Sequence, residues 1–460
     1  MIQRLKNIFN GGQSFLNSPV RDENLLNRII YGLSNNNAII WYDGKQDTFI
    51  NEGYRGNAMV YSIIRKIADK SKGCELQVFK ESKNAKSYKE KKRSTDDLVR
   101  AQAKIYKKEL DLVVDSDPVL KLMKNPNPYQ TWKEFLDNIS IWYNTTGEVF
   151  IYGFAPDMGV NAGKFQELWV MPSNYVEIIQ GDMFKPVQGY KLAIGDQTIH
   201  IPQEEVLHIK MPNLVWDVQG TQLRGQSPLL AGLKFMQKNS ESLTAGYKAM
   251  QNEGAKGIIS PNLQNPDLWP NPEQRAKIDQ RVDERINGSE NRNRVITSSI
   301  PLKYDSIGLS PVSLDIINSM KYDDEKLCGL WGISPALFVP NATDQNFKHA
   351  QKGLVTDVVV PQLQHFEEKL TEWIQSRFGN QYIIDFDTTT YAELQPDLKL
   401  LFETYGKSYA FTGNELRVMA GWEENKDKPE LEAHWIGSNM VPASDQLLGG
   451  INPDFQDFQP

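Results

Sequence analysis

In "NAMVYSIIRKIADK" the apolar positions Val60, Ile63, Ile64 and Ile67 recur at helical spacing, and the next segment, "CELQVFK", alternates as a strand does. Two further helices are predicted by their starts. Asp117 precedes Pro118, which suits a first turn, and Thr131 with Glu134 has capping-box spacing ahead of "WKEFLDNISIWYN". After Gly147 the period drops to two. The runs "EVFIYGF", "FQELWVMP", "YVEIIQG", "GYKLAIG", "QTIHIP" and "EVLHIKM" are bounded by Gly, Pro, Asn and Asp, and predict a mostly antiparallel sheet. Residues 56–212 therefore read as one α+β domain.

The chain changes character at "RGQSPLLAGLKFMQKNSESLTAGYKAMQNEG". Ser227 caps, Pro228 takes the first helical position, and no breaker follows until Gly254. About 25 residues at 1.5 Å rise give a rod of roughly 37 Å. Leu229, Leu230, Leu233 and Met236 make its first half apolar on one face, whereas the second half has only the stripe Leu243, Tyr247, Met250. So narrow a stripe suits a helix that packs against copies of itself. A small insert, Ala255 to Gly308, reads strand, helix, strand, strand. Ser310-Pro311 then starts a second helix through "VSLDIINSMKYDDEKLCGLWG", and a third runs from about Asn346 to Phe378 with Pro361 inside, where it must bend the axis. The strand "YIIDFD" follows, then short helices in "LQPDLKLLFETYGKSYA" and "TGNELRVMAGW". Between the second and third long helices stands "LWGISPALFVPNATDQNFKHAQ", longer than a turn requires, which is either slack or a working loop.

Composition narrows the possibilities. A chain of 460 residues with 40% hydrophobic and 24% charged side chains is globular, and its length suggests two to four domains. No apolar run is long enough for a signal peptide or a membrane span. Cys74 and Cys328 cannot make a disulfide framework or a four-cysteine zinc site, which fits a reducing cytosol and makes the sequons at Asn144, Asn287 and Asn341 chance matches. The net charge of −7 hides an asymmetry: Lys80–Lys108 holds eleven Lys/Arg against four Asp/Glu, so the remainder carries −14. With few apolar residues before Leu98, this stretch reads as a solvated insertion or surface helix. There is no P-loop, no H-E-x-x-H and no Cys/His cluster. "DFDTTTYAE" at Asp385 lacks the central glycine of a calcium loop. His200 and His208 lie on strands and read as structural, and the adjacent Asp323 and Asp324 read as solvated. No catalytic residue, cofactor or metal is expected.

The order of these parts resembles the portal proteins of tailed bacteriophages, long-tailed type, over roughly residues 55–440. The resemblance is carried by "RGQSPL", "GLSPVSLDIINSMKYDDEKLCGLWGISPALF" and "VVPQLQHFEEKL" in that order. It implies a multidomain α+β portal-type fold. Its parts would be an N-terminal arm (1–54), a wing (55–212, with the basic insertion 80–108), stem helix 1 (213–254) and a small α/β clip (255–308). Stem helix 2 (309–333), a tunnel loop (334–348), a kinked wing helix and strand (349–388) and a helical crown with tail (389–460) would complete it. It implies a ring, typically of twelve subunits, at one capsid vertex of the virion, assembled in the host cytoplasm. Double-stranded DNA would pass its lumen without sequence preference. Asn341, Thr343, Asp344, Gln345, Asn346 and Lys348 would face that DNA. The clip residues Arg275, Lys277, Arg281, Arg285, Arg292 and Arg294 would dock terminase and then a head–tail connector. Capsid protein, and scaffold with it, would surround the wing, and no membrane is involved. Acidic stem residues (Glu241, Asp323, Asp324, Glu325) would keep the duplex centred. The basic insertion would then either solubilise or touch nucleic acid or another virion part.

Two other readings compete. A cytosolic carbohydrate- or nucleotide-acting enzyme would use a cleft in the 147–212 sheet domain lined by Trp142, Tyr143 and Trp169. A tail or baseplate ring would share the narrow helical stripes but not the ordered series.

Overall fold

The computed structural model describes residues 39–40, 45–251 (without 182–183, 196 and 218–219), 257–261, 271–273, 276, 280, 302–306, 316–436 (without 340–341 and 407–409) and 441–442. In chain order, β1 (Ile39–Ile40) precedes a short helix α1 (Lys45–Thr48) that widens into a π turn at Phe49–Tyr54. Next come α2 (Ala58–Ser71), β2 (Glu75–Lys80), α3 (Lys83–Lys92), α4 (Asp97–Lys107), α5 (Pro118–Lys124) and α6 (Trp132–Thr146). Six strands follow, β3 (Glu148–Phe154), β4 (Glu167–Met171), β5 (Val176–Gln180), β6 (Val187–Ile194), β7 (Gln197–Pro202) and β8 (Val206–Lys210). The long helix α7 (Pro228–Gln251) leads to the ribbon β9 (Gly257–Pro261) and β10 (Leu302–Ser306), and α8 (Ile316–Leu330) returns. Then come α9 (Asp344–Gly353), a π turn at Leu354–Val359, α10 (Val360–Phe378) and β11 (Tyr382–Asp387). Two short helices, α11 (Leu398–Tyr405) and α12 (Gly413–Met419), and the pair β12 (Trp435–Ile436) and β13 (Val441–Pro442) end the described part.

The expected caps are present. Asp117 accepts from Val119 N–H with Pro118 in the first turn, and Thr131 and Glu134 form the capping box of α6. The six strands lie where the alternation put them and are antiparallel, but they form two sheets rather than one: β4-β3-β8 and β1-β5-β6-β7. Each has its own reason to exist. Val149 and Ile151 of β3 face the main core, while Phe150 packs with Tyr190, Ile178 and Ile201 in a second cluster shared with the other sheet.

The main core crosses the domain boundaries the sequence suggested. Val60, Ile63, Ile64 and Ile67 of α2 are fully buried with Phe135 and Ile139 of α6, Leu229 and Met236 of α7, Leu327 of α8, and Leu363, Phe366 and Leu370 of α10. Burying each such side chain contributes about 1.5–3 kcal/mol. β11 pairs antiparallel with β2, Tyr382 opposite Lys80, so the chain returns to its first strand after the helix pair. Residues 55–212 and 349–388 thus share one body.

The basic stretch is a helical hairpin, the surface helix of the two readings rather than the solvated insertion, and part of its charge turns inward: Lys92 and Arg100 are buried. Lys92, 1% exposed, donates to Glu367 Oε2 at 3.1 Å, to the Phe386 carbonyl at 3.2 Å and to Asp385 Oδ1. Lys107 meets the buried Asp387 at 2.6 Å, Arg93 reaches Glu367 and Glu368, and Tyr88 donates to Asp385. Burial pushes the Glu367 carboxyl up, with Lys92 opposing. Such a cluster is stable only while each charge keeps its partner.

Lys92→Met is expected to lower stability by about 3–5 kcal/mol in denaturant melts, because it leaves Asp385 buried without its cation and Glu367 with only the more distant Arg93. The double variant Lys92→Met/Asp385→Asn should recover much of that loss. If the single variant melts like the parent, the cluster is not holding the hairpin.

Candidate functional site

The long helix is aimed by a clasp at its start. Glu148, 0% exposed, begins β3, and its carboxylate takes Arg224 Nη2 at 2.6 Å, Gln46 Nε2 at 2.6 Å, Gly225 N–H at 2.8 Å and His208 Nε2 at 2.9 Å. Arg224 also donates to the carbonyls of Val176 (2.5 Å) and Ser173 (3.0 Å), and its guanidinium lies over Phe150. Ser227 Oγ donates to the Thr145 carbonyl at 2.6 Å and accepts from Leu229 N–H, with Pro228 next. Two glycines allow this approach. Gly147 has φ +80°, and a Cβ there would sit 2.3 Å from the Gln226 carbonyl carbon; a Cβ on Gly225 would sit 2.2 Å from the Gly147 oxygen. The segment "RGQSPL" is therefore a structural joint: every residue from Arg224 to Leu229 except Gln226 has a buried task or a cap. The helix begins at Pro228, and residues 224–227 before it belong to this joint.

Charge in the clasp is held by the pairing. Burial raises the Glu148 carboxyl, but Arg224, His208 and the Gly225 N–H together outweigh it and hold it below the usual range. Burial pushes the His208 imidazole down, and Glu148 offsets this only in part. His208 stacks on Phe150 with ring centres 4.1 Å apart, so the structural reading of this histidine stands.

From the clasp, α7 runs beside α8. Gly232 lets them touch, since a Cβ there would lie 2.2 Å from Leu330 Cδ1. Lys238 pairs with Asp323 at 2.9 Å, and Asn239 donates to Asp324 at 3.0 Å while accepting from Asn57, the cap of α2. Asp323 is 0% exposed, so the expectation of a solvated, lumen-facing charge is corrected for Asp323; Asp324 is half-buried, and both hydrogen-bond across the helix pair. Glu241 and Glu325 are exposed. Beyond this zipper Leu243 is 46% and Tyr247 65% exposed; Tyr322, beside the zipper and near Phe235, is 51% exposed.

The segment after α8 is more tightly held than its composition suggests. Gly332, φ +66°, ends α8 in a Schellman arrangement, with Ile333 N–H donating to the Cys328 carbonyl at 3.1 Å. Trp331, Ile333 and Leu337 are buried, and Ser334 caps a single 3-10 turn at Pro335–Leu337. Thr343 then caps α9, accepting from Asn346 N–H, so Asp344, Gln345, Asn346 and Lys348 are helical and not part of a loop running 334–348. The cap was legible in "NATDQN", where Thr343 is followed by an acid. Thr343, Asp344, Gln345, Asn346 and Lys348 are all exposed at the N-terminal end of α9. Asn341 lies outside the described residues, as do Arg275, Lys277, Arg281, Arg285, Arg292 and Arg294 and nearly all of 1–44. Pro361 falls just after the π turn at Leu354–Val359. The wider turn moves the preceding carbonyls away from a ring that cannot donate to them, which is how the helix accommodates its proline.

The three aromatics proposed to line a cleft are otherwise engaged. Tyr143 packs edge-on against Phe366 (5.1 Å), Trp142 packs against the main core, and Trp169 donates to Glu167 and lies near Tyr129. Among the described residues no group of three His, Cys, Asp or Glu is placed to hold a metal ion, and no helix is long and apolar enough to cross a membrane.

Comparison with known proteins places this geometry. A family model described as Phage portal protein matches residues 101–421. An uncharacterized protein of Rickettsia bellii (strain RML369-C) is 21% identical over 334 residues, 71% of this chain and 84% of that one. One of Rickettsia felis (strain ATCC VR-1525 / URRWXCal2) is 21% identical over 324 residues, 69% of this chain and 81% of that one. Among solved structures, a chain from the neck of an empty GTA particle computed with C6 symmetry superposes with TM-score 0.61, at 19% identity, over 87% of this chain and 100% of that one. A chain from the neck of a native GTA particle computed with C12 symmetry gives 0.60 at 18%, with the same coverage.

Two outcomes are expected. Gly332→Ala, in open space, should cost about 1–2 kcal/mol from its left-handed backbone alone, whereas Gly147→Ala adds a backbone clash and should cost clearly more; equal losses in denaturant melts would sink the clasp. For pH, a folded His208 held below its ordinary 6.5 means that the unfolded chain binds the extra proton as pH falls. Stability is therefore full above pH 6.5 and declines below it, with His365, also pushed down by burial, acting in the same direction. His208→Gln should flatten the pH 7-to-5 slope of the melting temperature, and an unchanged slope would place the titration elsewhere.

Proposed function

The chain belongs to the phage portal protein family, and on that premise we propose that it forms a ring-shaped channel at one capsid vertex through which double-stranded DNA is packaged and ejected. The observation that carries the reading is the unsatisfied face of the helix pair. The Lys238–Asp323 zipper fixes α7 against α8, yet Leu243, Tyr247 and Tyr322 remain about half or more exposed. Large, partly apolar side chains left exposed on a helix pair call for a partner, and a neighbouring copy about a rotation axis supplies one.

The ring would hold twelve copies, with its wing in the shell and its clip, residues 255–308, receiving terminase and then a head–tail connector. Capsid protein and scaffold would meet the wing. In this arrangement the exposed polar end of α9 would face the lumen. Its single cation, Lys348, is balanced by Asp344, so it would touch phosphates without a strong hold. The free N–H groups of the first turn favour an anion, and Asp344 competes with it there.

Twelve chains of 52.5 kDa should sediment as a closed particle of about 630 kDa with a central hole in negative-stain images. Leu243→Glu/Tyr247→Glu should reduce that particle to single chains while the melting temperature stays near the parent's, since both side chains are exposed. A parent chain that remains monomeric even when co-expressed with its capsid proteins would overturn the reading.

A further inference from the structure

The basic hairpin leaves part of its charge outside the buried cluster, and that remainder lines a groove. Two adjoining concavities, about 400 and 640 Å³, share Lys104 and Lys108 at the C-terminal end of α4. Arg417 and Glu423 help to close the first, Lys107 and Gln395 the second. Gly421 sets how closely the two sides meet: its φ is +81°, and a Cβ there would stand 2.6 Å from the Ala101 carbonyl oxygen.

Two of the four cations are spent and two are not. Lys107 is neutralised by the buried Asp387, and Lys108 pairs with Glu423 at 2.7 Å. Lys104 and Arg417 have neutral partners: Lys104 donates to the Gln395 side-chain oxygen, and Arg417 Nε donates to the Glu423 carbonyl. The groove therefore keeps two positive charges on facing elements, which suits a segment carrying two carboxylates a few residues apart.

The chain itself contains one. Residues 443–460, "ASDQLLGGINPDFQDFQP", hold Asp445, Asp454 and Asp457 and no Lys, Arg or His. This segment starts close to the helix that carries Arg417. Leu431 packs at the head of α12, where a Cβ on Gly413 would lie 2.7 Å from Leu431 Cδ2, and Trp435, four positions on, pairs with Pro442. Twelve residues then separate Pro442 from Asp454. A chain of that length spans roughly 20 Å on average and about 40 Å at full stretch, whereas Arg417 is about one helical turn from Gly413. Tethering on this scale gives a local concentration on the order of millimolar, so exposed ion pairs that are individually weak suffice to hold the segment.

We propose that the groove between α4 and α12 holds residues 443–460 of the same chain, with the carboxylates of Asp454 and Asp457 on Lys104 and Arg417. So placed, the segment straps α12 to the α3–α4 hairpin. The inference does not rest on the channel reading, because a contact within one chain forms in a monomer and in a ring alike.

The test is zero-length cross-linking of the full-length protein with a carbodiimide, which joins a lysine amine to a carboxylate already in contact with it. Peptides from the monomer band of a denaturing gel are then identified by mass spectrometry, with the Lys108–Glu423 product as internal standard. Lys104 should be joined to Asp454 or Asp457, and the exposed Lys133 of α6 to neither. Arg417→Gln removes no reactive group, yet should lower the Lys104 yield about 2- to 5-fold near 0.1 M salt, and Arg417→Lys should recover most of it. Equal joining of Lys104 and Lys133 to the segment marks random collision and overturns the proposal. So does a Lys104 yield indifferent to Arg417→Gln. A product found only in the dimer band also overturns it, because the groove would then take the segment of a second copy.

Discussion

Glu148 and Arg224 are taken out of water together, at 0% and 1% exposure, and the position of the helix pair follows from satisfying them. A carboxylate and a guanidinium buried in this way are costly unless they are paired and hydrogen-bonded. Here Gln46 from the segment before α2, His208 from β8 and the Gly225 N–H meet the carboxylate, and the carbonyls of Ser173 and Val176 accept from the guanidinium. The two sheets, the chain before α2 and the start of α7 are therefore ordered by one interaction, and the two glycines at 147 and 225 set how closely they meet. α7 leaves this joint in a fixed direction, α8 follows through Asp323 and Asp324, and the end of α8 places the capped segment that leads into α9.

The basic hairpin shows why charge composition is a poor guide to exposure. Eleven cations within Lys80–Lys108 suggest solvent, and a local reading has no means of seeing otherwise. The partners of the buried Lys92 are far along the chain: it meets Glu367 and Asp385, 275 and 293 positions away. Those acids sit on α10 and β11, which a sequence pass treats as a separate region. Once β11 pairs with β2 the acids are brought under α3 and α4, and the hairpin becomes the cover of an acidic seam. Part of the asymmetry in the sequence is therefore complementarity within one chain.

What was legible was local. Ser227-Pro228, Asp117-Pro118 and the Thr131/Glu134 box each announce a helix start because the capping group and the N–H it satisfies are two or three residues apart. The six strands were legible because alternation is a nearest-neighbour property. Division of those strands into two sheets was not, since Phe150 and its neighbours Val149 and Ile151 face different cores and one strand's alternation looks the same in either case. Burial of Asp323 was hidden for a similar reason: its partner, Lys238, is on another helix. The family order of parts was visible, but the purpose of "RGQSPL" as a joint rather than a contact surface needed Gly147 and Glu148 beside it.

The distribution of cations bears on how a conduit for DNA could work under the proposed reading. Each Lys or Arg set against a phosphate adds a salt-dependent hold, and a channel lined with them would grip what it must let slide. This chain, at net −7, spends Lys92 and Lys107 on buried acids and Lys238 on the helix zipper, and leaves the exposed end of α9 with Lys348 offset by Asp344. Lys104 on α4 and Arg417 on α12 are set beside Trp422 with neutral hydrogen-bond partners. Where cations stay available at the surface thus follows from which acids the fold brings to which lysines.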